Sequence, residues 1–319
     1  MVIVSIVIPV YNGATTIGRL VGSLHAELAH LYELDVVLVN DASPMDNSAE
    51  VCEALAKEHA WITFLDLSRN YGEHNAVMAG LNHCRGEMAV IIDDDFQNPP
   101  SEVIKLVHEL EKGHDVVFSR YETKAHNWLR NVGSWFNNLV ATWLINKPSH
   151  LYLSSFKAIN RFVIDQVTSY DGPYPYLDGL ILRVTRRYSQ VTLEHLPRAE
   201  GKSNYTLRKL VSLWMNMAFN FSIMPLRLIG FIGLFMASLS ALGVFVVLFA
   251  KIRDPNIPAG WASIEISILM LASLFLVTLG FVGEYIGRIF MKLNRLPQFT
   301  VRRHVIQGQT YGHKIPGPR

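Results

Sequence analysis

The sequence predicts an α/β domain built around a doubly wound sheet, followed by two helices that cross a membrane as a hairpin. Two observations lead to this fold class. In the first 120 residues, short apolar runs rich in β-branched residues alternate with amphipathic stretches of helix length. Apolar strands separated by helices are typical of a parallel sheet covered on both faces. In the last third, two long runs carry no charge, which predicts membrane helices.

The composition supports a membrane protein and excludes several other classes. Half of the 319 residues are hydrophobic and only 18% are charged, whereas about a quarter are charged in an ordinary soluble domain. A net charge of +2 is too small for a polyanion binder, so we expect no nucleic-acid partner. The two cysteines, Cys52 and Cys84, lack the spacing of a disulfide framework or a zinc site, and we expect buried thiols in a reducing compartment.

The five predicted strands cover residues 2–10, 35–40, 61–67, 88–93 and 115–119. The first run lacks a basic leader and continues into a turn, so we interpret it as a strand rather than a signal peptide. Ligands of such sheets bind in the crevice at the carboxyl ends of the strands. Each predicted strand ends in polar residues, which are Tyr11 with Asn12, Asp41, Arg69 with its neighbours, Asp93 to Asp95, and Arg120. These polar ends predict a site for an anionic ligand bridged by a metal.

Three acids in a row, Asp93, Asp94 and Asp95, end the fourth predicted strand. Their mutual repulsion would be costly unless a cation lay among them. Oxygen ligands at alternate positions, from Asp93, Asp95 and Gln97, suit a hard ion, Mg²⁺ or Mn²⁺, which would also hold a diphosphate. The alternative is that the acids cap the helix that follows the next two prolines.

Asp41 is a candidate acceptor for an N–H donor such as the imide of a nucleobase, and the alternative is a local turn with Ser43. The chain contains neither the glycine-rich fingerprint of dinucleotide-binding sites nor that of P-loops. We therefore expect a metal and arginine side chains to hold the phosphates. Nearer the membrane segment, Arg198, Lys202 and Ser203 would bind a lipid phosphate, and the alternative is a solvated loop attracted to anionic lipids.

The two uncharged runs, residues 228–250 and 266–283, are long enough to span a hydrocarbon core, the second after extension at its start. A short connector, residues 251–260, joins them into a hairpin. Basic residues flank both outer ends, so the positive-inside rule places both termini and the N-terminal region in the cytoplasm. Stripes of apolar residues with tryptophan in 126–146 and 207–224 predict helices at the membrane interface, although such stripes also occur in buried cores.

These features divide the chain into four parts. We expect a cytoplasmic catalytic domain (1–205), a juxtamembrane amphipathic helix (206–224), two transmembrane helices (225–290) and a basic cytoplasmic tail (291–319). Within the membrane part, Glu265 and Glu284 lie at the ends of the predicted spans. Transport proteins place ionisable groups near the middle of the membrane, so this pattern argues against transport.

Five motifs occur in order along the chain. They are Ile8-Pro9-Val10-Tyr11-Asn12, Val39-Asn40-Asp41-Ala42-Ser43, Arg69-Asn70-Tyr71-Gly72, Asp93-x-Asp95-Phe96-Gln97-Asn98-Pro99-Pro100 and Gly201-x-Ser203-x-Tyr205. Together they resemble the family-2 inverting glycosyltransferases that act on polyprenyl phosphates. The resemblance covers nearly the whole chain and is strongest to the bacterial enzymes that load glucose or modified arabinose onto undecaprenyl phosphate, with dolichyl-phosphate mannose synthase more distant. This resemblance implies the GT-A fold and a nucleotide-sugar donor, with UDP favoured because the nearer relatives use it.

The resemblance also implies roles for individual residues of the chain. Donor binding is expected from Pro9, Tyr11, Asn12, Asp41, Arg69 and Asp94. The metal ligands are expected to be Asp93, Asp95 and Gln97, and the catalytic residues Asp95, Arg120 and Arg198. The acceptor phosphate is expected to contact Arg120, Arg198, Lys202, Ser203 and Tyr205. By the same resemblance, the protein would be a tetramer, integral to the bacterial cytoplasmic (inner) membrane.

The chain departs from the family pattern at a position that bears on mechanism. Relatives that transfer glucose carry Gly-Asp-Phe-Arg where this chain has Ser154-Ser155-Phe156-Lys157, so a carboxylate proposed there as catalytic is absent. The acceptor makes this loss tolerable, because a phosphate monoester has its second pKa near 6 and needs no general base. We therefore predict in-line attack by the lipid phosphate on the anomeric carbon, with inversion.

Other departures concern the donor and acceptor contacts. The usual Asp-Asp pair of the second motif is Asn40-Asp41, which retains the acid expected to bind the base. The Glu and Lys that usually flank the membrane-proximal serine are Lys202 and Asn204, which moves the cation by two positions.

Two other functions stay open at this point. The first is a membrane-anchored transferase whose acceptor is a glycan or glycolipid hydroxyl. That reaction requires a carboxylate base, for which Asp178 and Glu200 are the candidates. The second is a transport or scaffold module without enzymatic activity, which uses the hairpin to bind a partner.

Overall fold

A mixed β-sheet forms the centre of the computed structural model. The structure describes residues 1–121, 142, 147–148, 150–172, 174–194, 196, 224–253, 260–294 and 297–311. The predicted interfacial helices, 126–146 and 207–224, fall almost entirely outside the described residues, and so does the predicted phosphate-binding segment 198–205. The strands are β1 (Ile3–Val10), β2 (Glu33–Asn40), β3 (Ile62–Leu67), β4 (Met88–Ile91), β5 (Val116–Tyr121), β6 (Lys157–Asn160), β7 (Tyr188–Leu193), β8 (Val301–Ile306) and β9 (Gln309–Tyr311).

The sheet is mixed, so the prediction of a purely parallel sheet is wrong. Its strand order is β7-β5-β6-β4-β1-β2-β3-β8-β9. The five predicted strands share one direction, but β6 lies between β4 and β5 and runs antiparallel to both. Strand β6 has only four residues, which is too short for a periodic signal in the sequence. At the other side of the sheet, β8 is antiparallel to β3.

Two strand ends differ from the prediction where they bear on the site. Strand β4 ends at Ile91, so the acidic run begins in the loop and not within the strand. Strand β5 continues through Tyr121, because its pairing with β7 extends to Leu193. Arg120 therefore lies inside a strand, where it is exposed, and the prediction that it follows the strand is wrong.

Helices cover both faces of the sheet, which confirms the doubly wound α/β class. Alternate residues of β1 separate the two layers. Ile6 and Ile8 pack with the first and fourth helices, whereas Val7 packs with the third, fifth and sixth. The helices are α1 (Ile17–Leu28), α2 (Ser48–Glu58), α3 (Glu73–Leu81), α4 (Glu102–Glu111), α5 (Arg161–Thr168), α6 (Leu177–Val184), α7 (Met224–Arg253) and α8 (Trp261–Leu293).

Part of the predicted basic tail, residues 291–319, belongs to the sheet. Strands β8 and β9 come from this region and extend the sheet beyond β3. Val301 and Val305 are buried against the sheet, while Arg302 is exposed. The arginines obscured this alternation in the sequence. Burial of the apolar face, Val301 and Val305, favours pairing of β8 with the sheet.

Two long helices, α7 and α8, follow β7 in the chain and contact each other. Within the described residues, the segment Met270–Met291 has the length and the mean hydropathy, 1.7, of a membrane span. Its apolar side chains face outward, with Phe275 67% and Leu276 65% exposed. The end of α8 contacts the segment before α6, since the Tyr174 hydroxyl donates to Met291 Sδ at 3.8 Å. The two-helix membrane hairpin itself stays a prediction.

A buried carboxylate ties β1 and β2 to the segment before β4. Asp35 is fully buried and accepts hydrogen bonds from Ser5 Oγ at 2.7 Å, from the Arg85 amide at 2.9 Å and from Arg85 Nε at 2.8 Å. Ser5 Oγ in turn accepts from the Gly86 amide at 2.9 Å. The polar donors of Ser5 and Arg85 at this end of the sheet thus share one acceptor, the Asp35 carboxylate.

We expect Asp35→Ala to lower the free energy of unfolding by about 2 to 3 kcal/mol, because it leaves buried donors without an acceptor. Urea unfolding of the full chain in detergent, followed by tryptophan fluorescence, measures the change. The control is Lys112→Ala, which removes an exposed pair with Glu109 and is expected to cost less than about 1 kcal/mol. Equal losses in the two variants would contradict the importance of the buried network.

Candidate active site

The three consecutive acids after β4 point to different neighbours. Asp93 Oδ2 accepts from Ser155 Oγ at 2.6 Å, beside β6. Asp94 Oδ2 accepts from the Tyr11 amide at 3.4 Å, beside the loop that follows β1. Asp95 Oδ1 accepts from the Gln97 amide at 3.1 Å within its own turn. The run therefore joins the two halves of the sheet at their carboxyl edge.

The alternative that these acids cap the next helix is wrong. Helix α4 begins at Glu102, its N-cap is Ser101, and no side chain caps it by a hydrogen bond. The turn instead reverses at Phe96, whose φ of 58° lies in the left-handed region. The three acids thus lie at the crevice on the carboxyl edge of the sheet and do not cap α4.

The carboxylates are crowded together in an environment that disfavours their charge. Burial raises the pKa of Asp93 to about 7, and the neighbouring Glu73 and Asp95 carboxylates add to the effect. Burial also raises the pKa of Asp94 to about 7, with Asp93 as the next largest cause. A cation placed among these groups would lower their cost of ionisation.

The site fits a hard divalent cation held by few protein ligands. Among the described residues, no group of three or more His, Cys, Asp or Glu side chains is arranged to bind a metal. Asp93 and Asp95 supply hard oxygen atoms in a crowded acidic site. Mg²⁺ is commonly bound by one or two carboxylates together with substrate phosphates, which is the arrangement that this donor set suits. The role predicted for the Gln97 side chain stays a prediction.

The loop after β1 is fixed by side chains that follow β2. Asn12 has a φ of 57°, and its amide donates to Ser43 Oγ at 2.9 Å. The Gly13 amide donates to Ser48 Oγ at 2.9 Å. A Cβ atom at Gly13 would collide with the Asp94 carboxylate, so only glycine allows this close approach. Of the predicted donor-binding residues nearby, Pro9 lies at the end of β1 and Tyr11 is exposed at the crevice.

Asp41 is buried and accepts two backbone hydrogen bonds from the loop after β3. The Tyr71 amide donates to one carboxylate oxygen at 2.7 Å and the Gly72 amide to the other at 2.8 Å. Burial raises the pKa of Asp41, and the two amides act in the opposite direction. Ser43, the partner in the alternative local turn, donates instead to Asn40 Oδ1 at 2.6 Å. Base recognition by Asp41 stays a prediction.

The remaining donor-side residue, Arg69, is exposed beside the loop that carries Tyr71. Its guanidinium carbon lies 4.6 Å from the centroid of the Tyr71 ring. This stacking holds the side chain next to the loop whose amides contact Asp41. Its predicted contact with the donor stays a prediction.

A buried ion pair behind the acids was not predicted. Lys157, the first residue of β6, pairs with Asp178 of α6, and both side chains are almost fully buried. Glu73 and His74, at the start of α3, lie on the same side, and the His74 ring packs edge-on against Tyr176 at 5.1 Å. Burial lowers the pKa of His74 to about 4, so this ring is neutral at pH 7. Lys157 could have been identified from the sequence, because it occupies the motif position that holds Arg in relatives that transfer glucose.

The acceptor-side residues are only partly described. Arg120 is exposed on β5, next to Tyr121, whose hydroxyl donates to Asn98 Oδ1 of the acidic loop at 2.8 Å. Arg198, Lys202, Ser203 and Tyr205, together with the candidate base Glu200, lie outside the described residues. Just before them, the Leu196 amide donates to the Gln97 carbonyl at 2.8 Å, so the segment after β7 contacts the loop that carries the three acids.

Comparisons with known proteins agree with this arrangement. Residues 5–168 match the family Glycosyl transferase family 2. The chain is 32% identical to the undecaprenyl-phosphate 4-deoxy-4-formamido-L-arabinose transferase of Pseudomonas fluorescens, over 94% of this chain and 89% of that protein. It is 32% identical to the transferase of the same name from Yersinia pestis, over 96% of this chain and 95% of that protein.

The fold comparison gives a consistent result. Glucosyl-3-phosphoglycerate synthase from Mycobacterium tuberculosis, crystallised with Mn²⁺, UDP and phosphoglyceric acid, superposes with a TM-score of 0.51. The match covers 67% of this chain and 75% of the synthase at 19% identity, which shows a shared fold. The family resemblance noted in the sequence and the expected GT-A-like α/β fold are thereby confirmed. This chain belongs to glycosyltransferase family 2.

Proposed function

We propose that the protein transfers a sugar from a UDP-linked donor to the phosphate of a polyprenyl phosphate, with inversion at the anomeric carbon. The observation that carries the proposal is the row of carboxylates Asp93, Asp94 and Asp95, joined at the sheet edge to the loop that contains Asn12. Relatives that match almost the whole chain are named for transfer to undecaprenyl phosphate, so we propose this lipid as the acceptor.

The donor would lie across the carboxyl edge of the sheet. We assign its nucleoside to Tyr11, Asn12 and Asp41, in the two loops that are fixed to each other through Ser43. Asp93, Asp95 and Gln97 would hold a divalent cation at the diphosphate. When bound, Mg²⁺ or Mn²⁺ supplies positive charge that stabilises the leaving nucleoside diphosphate.

The acceptor would react without a protein base. An oxygen of the lipid phosphate attacks the anomeric carbon, while the bond from this carbon to the diphosphate oxygen breaks on the opposite face. The monoester is largely a dianion at neutral pH, so no proton has to be removed. Ser155 stands where glucosyl-transferring relatives carry a carboxylate, and its hydroxyl is directed to Asp93. Asp178 faces Lys157 in a buried pair, which argues against its use as a general base.

Arginine side chains would hold the two phosphate groups around the reacting carbon. We assign Arg120 and Arg198 to this role, because guanidinium groups bind phosphate through paired N–H donors. Lys202, Ser203 and Tyr205 would contact the lipid phosphate nearer the membrane. The hydrogen bond from Leu196 to the acidic loop supports this assignment, since Arg198 follows two residues later.

The acceptor requires a site at a bilayer surface. The outward apolar side chains of α8 support insertion of this helix. We propose that the protein is integral to the bacterial cytoplasmic membrane, with the catalytic region and both termini on the cytoplasmic side. The two-helix hairpin, the interfacial helices and the tetramer are parts of the same proposal.

The direct test uses the full protein purified in detergent. It is incubated with undecaprenyl phosphate, Mg²⁺ or Mn²⁺ and a panel of nucleotide sugars, and the lipid is analysed by mass spectrometry. We expect one donor to give a lipid product heavier by one sugar residue. Binding of no nucleotide sugar would favour the scaffold alternative, and sugar transfer only to glycan hydroxyls would favour the other enzyme.

We expect Asp95→Ala to lower the transfer rate by more than about 100-fold, or about 3 kcal/mol, because a metal-binding carboxylate stabilises the leaving group. Initial rates at saturating donor measure the effect. The control is Asp165→Asn, which changes an acid on α5 with a side chain 59% exposed and should keep the rate within about twofold. A rate within about tenfold of wild type in Asp95→Ala would remove this residue from the catalytic assignment.

Gly13→Ala is expected to raise the donor KM by at least about tenfold, because the new methyl group displaces Asp94 from the loop after β1. The matched control is Gly18→Ala on α1, where the added methyl group meets open space and favours the helix. Steady-state kinetics with varied donor separate the two variants. An unchanged donor KM in Gly13→Ala would show that Asp94 does not help to bind the donor.

The rate is expected to rise between about pH 5 and 7 and to stay flat from pH 7 to 9, because the acceptor phosphate loses its second proton near pH 6. Rates are measured at saturating donor, lipid and Mg²⁺. A hydroxyl acceptor would need a general base, and with a base of raised pKa the rate would keep rising above pH 7 as that base loses its proton. A continued rise above pH 7 would therefore count against the phosphate acceptor.

A further inference from the structure

Strand β8 and the residue before it contact the end of β3 and the first residue of the loop that follows. The pairing of β3 with β8 shifts in register between Asp66 and Leu67, so that Arg302 is an extra residue on β8. This bulge directs Arg302 Nη2 to the Ser68 carbonyl, at 3.0 Å. The Ser68 amide donates to the Thr300 carbonyl at 2.9 Å. Both backbone polar groups of Ser68 are thus fixed by the C-terminal segment.

This contact leads directly to Asp41. The Ser68 and Tyr71 hydroxyl oxygens are 3.1 Å apart and share a hydrogen bond. The amides of Tyr71 and Gly72 then bind the two oxygens of Asp41. Gly72 has a φ of 88°, which glycine adopts without strain, and helix α3 begins at the next residue. The C-terminal segment therefore helps to set the position of Asp41.

A second route runs through side chains from Arg303 to Asn12, and its two central residues, Asp66 and Asn40, are buried. Arg303 Nη2 lies 3.5 Å from Asp66 Oδ2. The Asn40 side-chain amide donates to Asp66 Oδ1 at 2.8 Å. Ser43 Oγ donates to Asn40 Oδ1 at 2.6 Å and accepts from the Asn12 amide at 2.9 Å. This series of one ion pair and three hydrogen bonds runs from β8 through β3 and β2 to the loop that follows β1.

The direction of every hydrogen bond in the series follows from Asp66. A carboxylate only accepts, so Asn40 has to present its NH₂ group to Asp66 and its carbonyl oxygen to Ser43. The Ser43 hydroxyl then donates its proton to Asn40 Oδ1, and a lone pair on the same oxygen accepts from the Asn12 amide. Asp66 and Asn40 are buried, so water does not replace a lost partner without cost.

We infer that strand β8 positions the residues of the donor-binding site and that Arg303 is a positioning residue, acting on Asn12 through Asp66, Asn40 and Ser43. This inference rests on the proposed function, in which Asn12 and Asp41 contact the nucleoside. Because only residues 294–300 separate helix α8 from β8, the inference also connects the donor site to the membrane segment. Arg303 neutralises Asp66 and thereby holds its carboxylate at the start of the series.

The test compares Arg303→Gln with Glu53→Gln in the full protein. Glu53 is the second carboxylate on Arg303, at 2.5 Å, and its loss leaves the contact with Asp66 in place. We expect Arg303→Gln to raise the donor KM by about tenfold, with kcat and the lipid KM within about twofold of wild type. Glu53→Gln should leave all three within about twofold, and Arg303→Lys should recover part of the donor affinity.

Ser43→Ala supplies a second measurement that does not touch β8. It breaks the series next to Asn12 and should raise the donor KM by a similar factor. In the double variant with Arg303→Gln, the effect should not exceed the larger single effect, because the two residues act in one series. If Arg303→Gln does not fold, the donor KM of Ser43→Ala decides, and an unchanged value overturns the inference.

The remaining outcomes separate this inference from the proposed function. Sugar transfer by wild type together with an unchanged donor KM in folded Arg303→Gln overturns the inference alone. Equal changes of kcat and both KM values, or single effects that multiply in the double variant, overturn it as well. Absence of nucleotide-sugar binding in wild type overturns the proposed function and the inference together.

Discussion

The crowding of carboxylates at the end of a buried strand is the constraint on which the site depends. Asp93, Asp94 and Asp95 follow β4 in the chain, and burial together with neighbouring carboxylates raises the pKa of Asp93 and of Asp94. The structure directs them to different neighbours, with Ser155 on one side and the Tyr11 amide on the other. A glycine at position 13 is needed for that approach, so the loops of the crevice are shaped around the acids.

Much of the fold follows from local patterns in the sequence. The apolar runs identified β1 to β5, and the polar residues at their ends identified the edge that carries the acids. The antiparallel strands β6 and β8 could not be found in this way. Strand β6 is four residues long, and the apolar face of β8 is interrupted by two arginines. Their pairing is decided by distant partners and not by their own periodicity.

The same limit applies to the candidate site. Residue types at strand ends identified the acids and Asp41, because such chemistry is visible locally. The partners of these groups lie far away in sequence, as with the amides of Tyr71 and Gly72 that bind Asp41. The pair of Lys157 and Asp178 joins residues on β6 and α6, and only the packing of these elements brings them together. A motif gives the chemistry of a site, whereas its tertiary contacts set the orientation of each group.

The position of β8 in the chain has a consequence for biosynthesis. This strand pairs with β3, yet helices α7 and α8 are translated between the two. While the ribosome makes those helices, β3 presents an unpaired edge of the kind that promotes aggregation. Strand β8, which is translated after both helices, closes that edge. Synthesis of the two long helices and completion of the sheet are therefore ordered events, and a translation product truncated before β8 would leave the sheet open at β3.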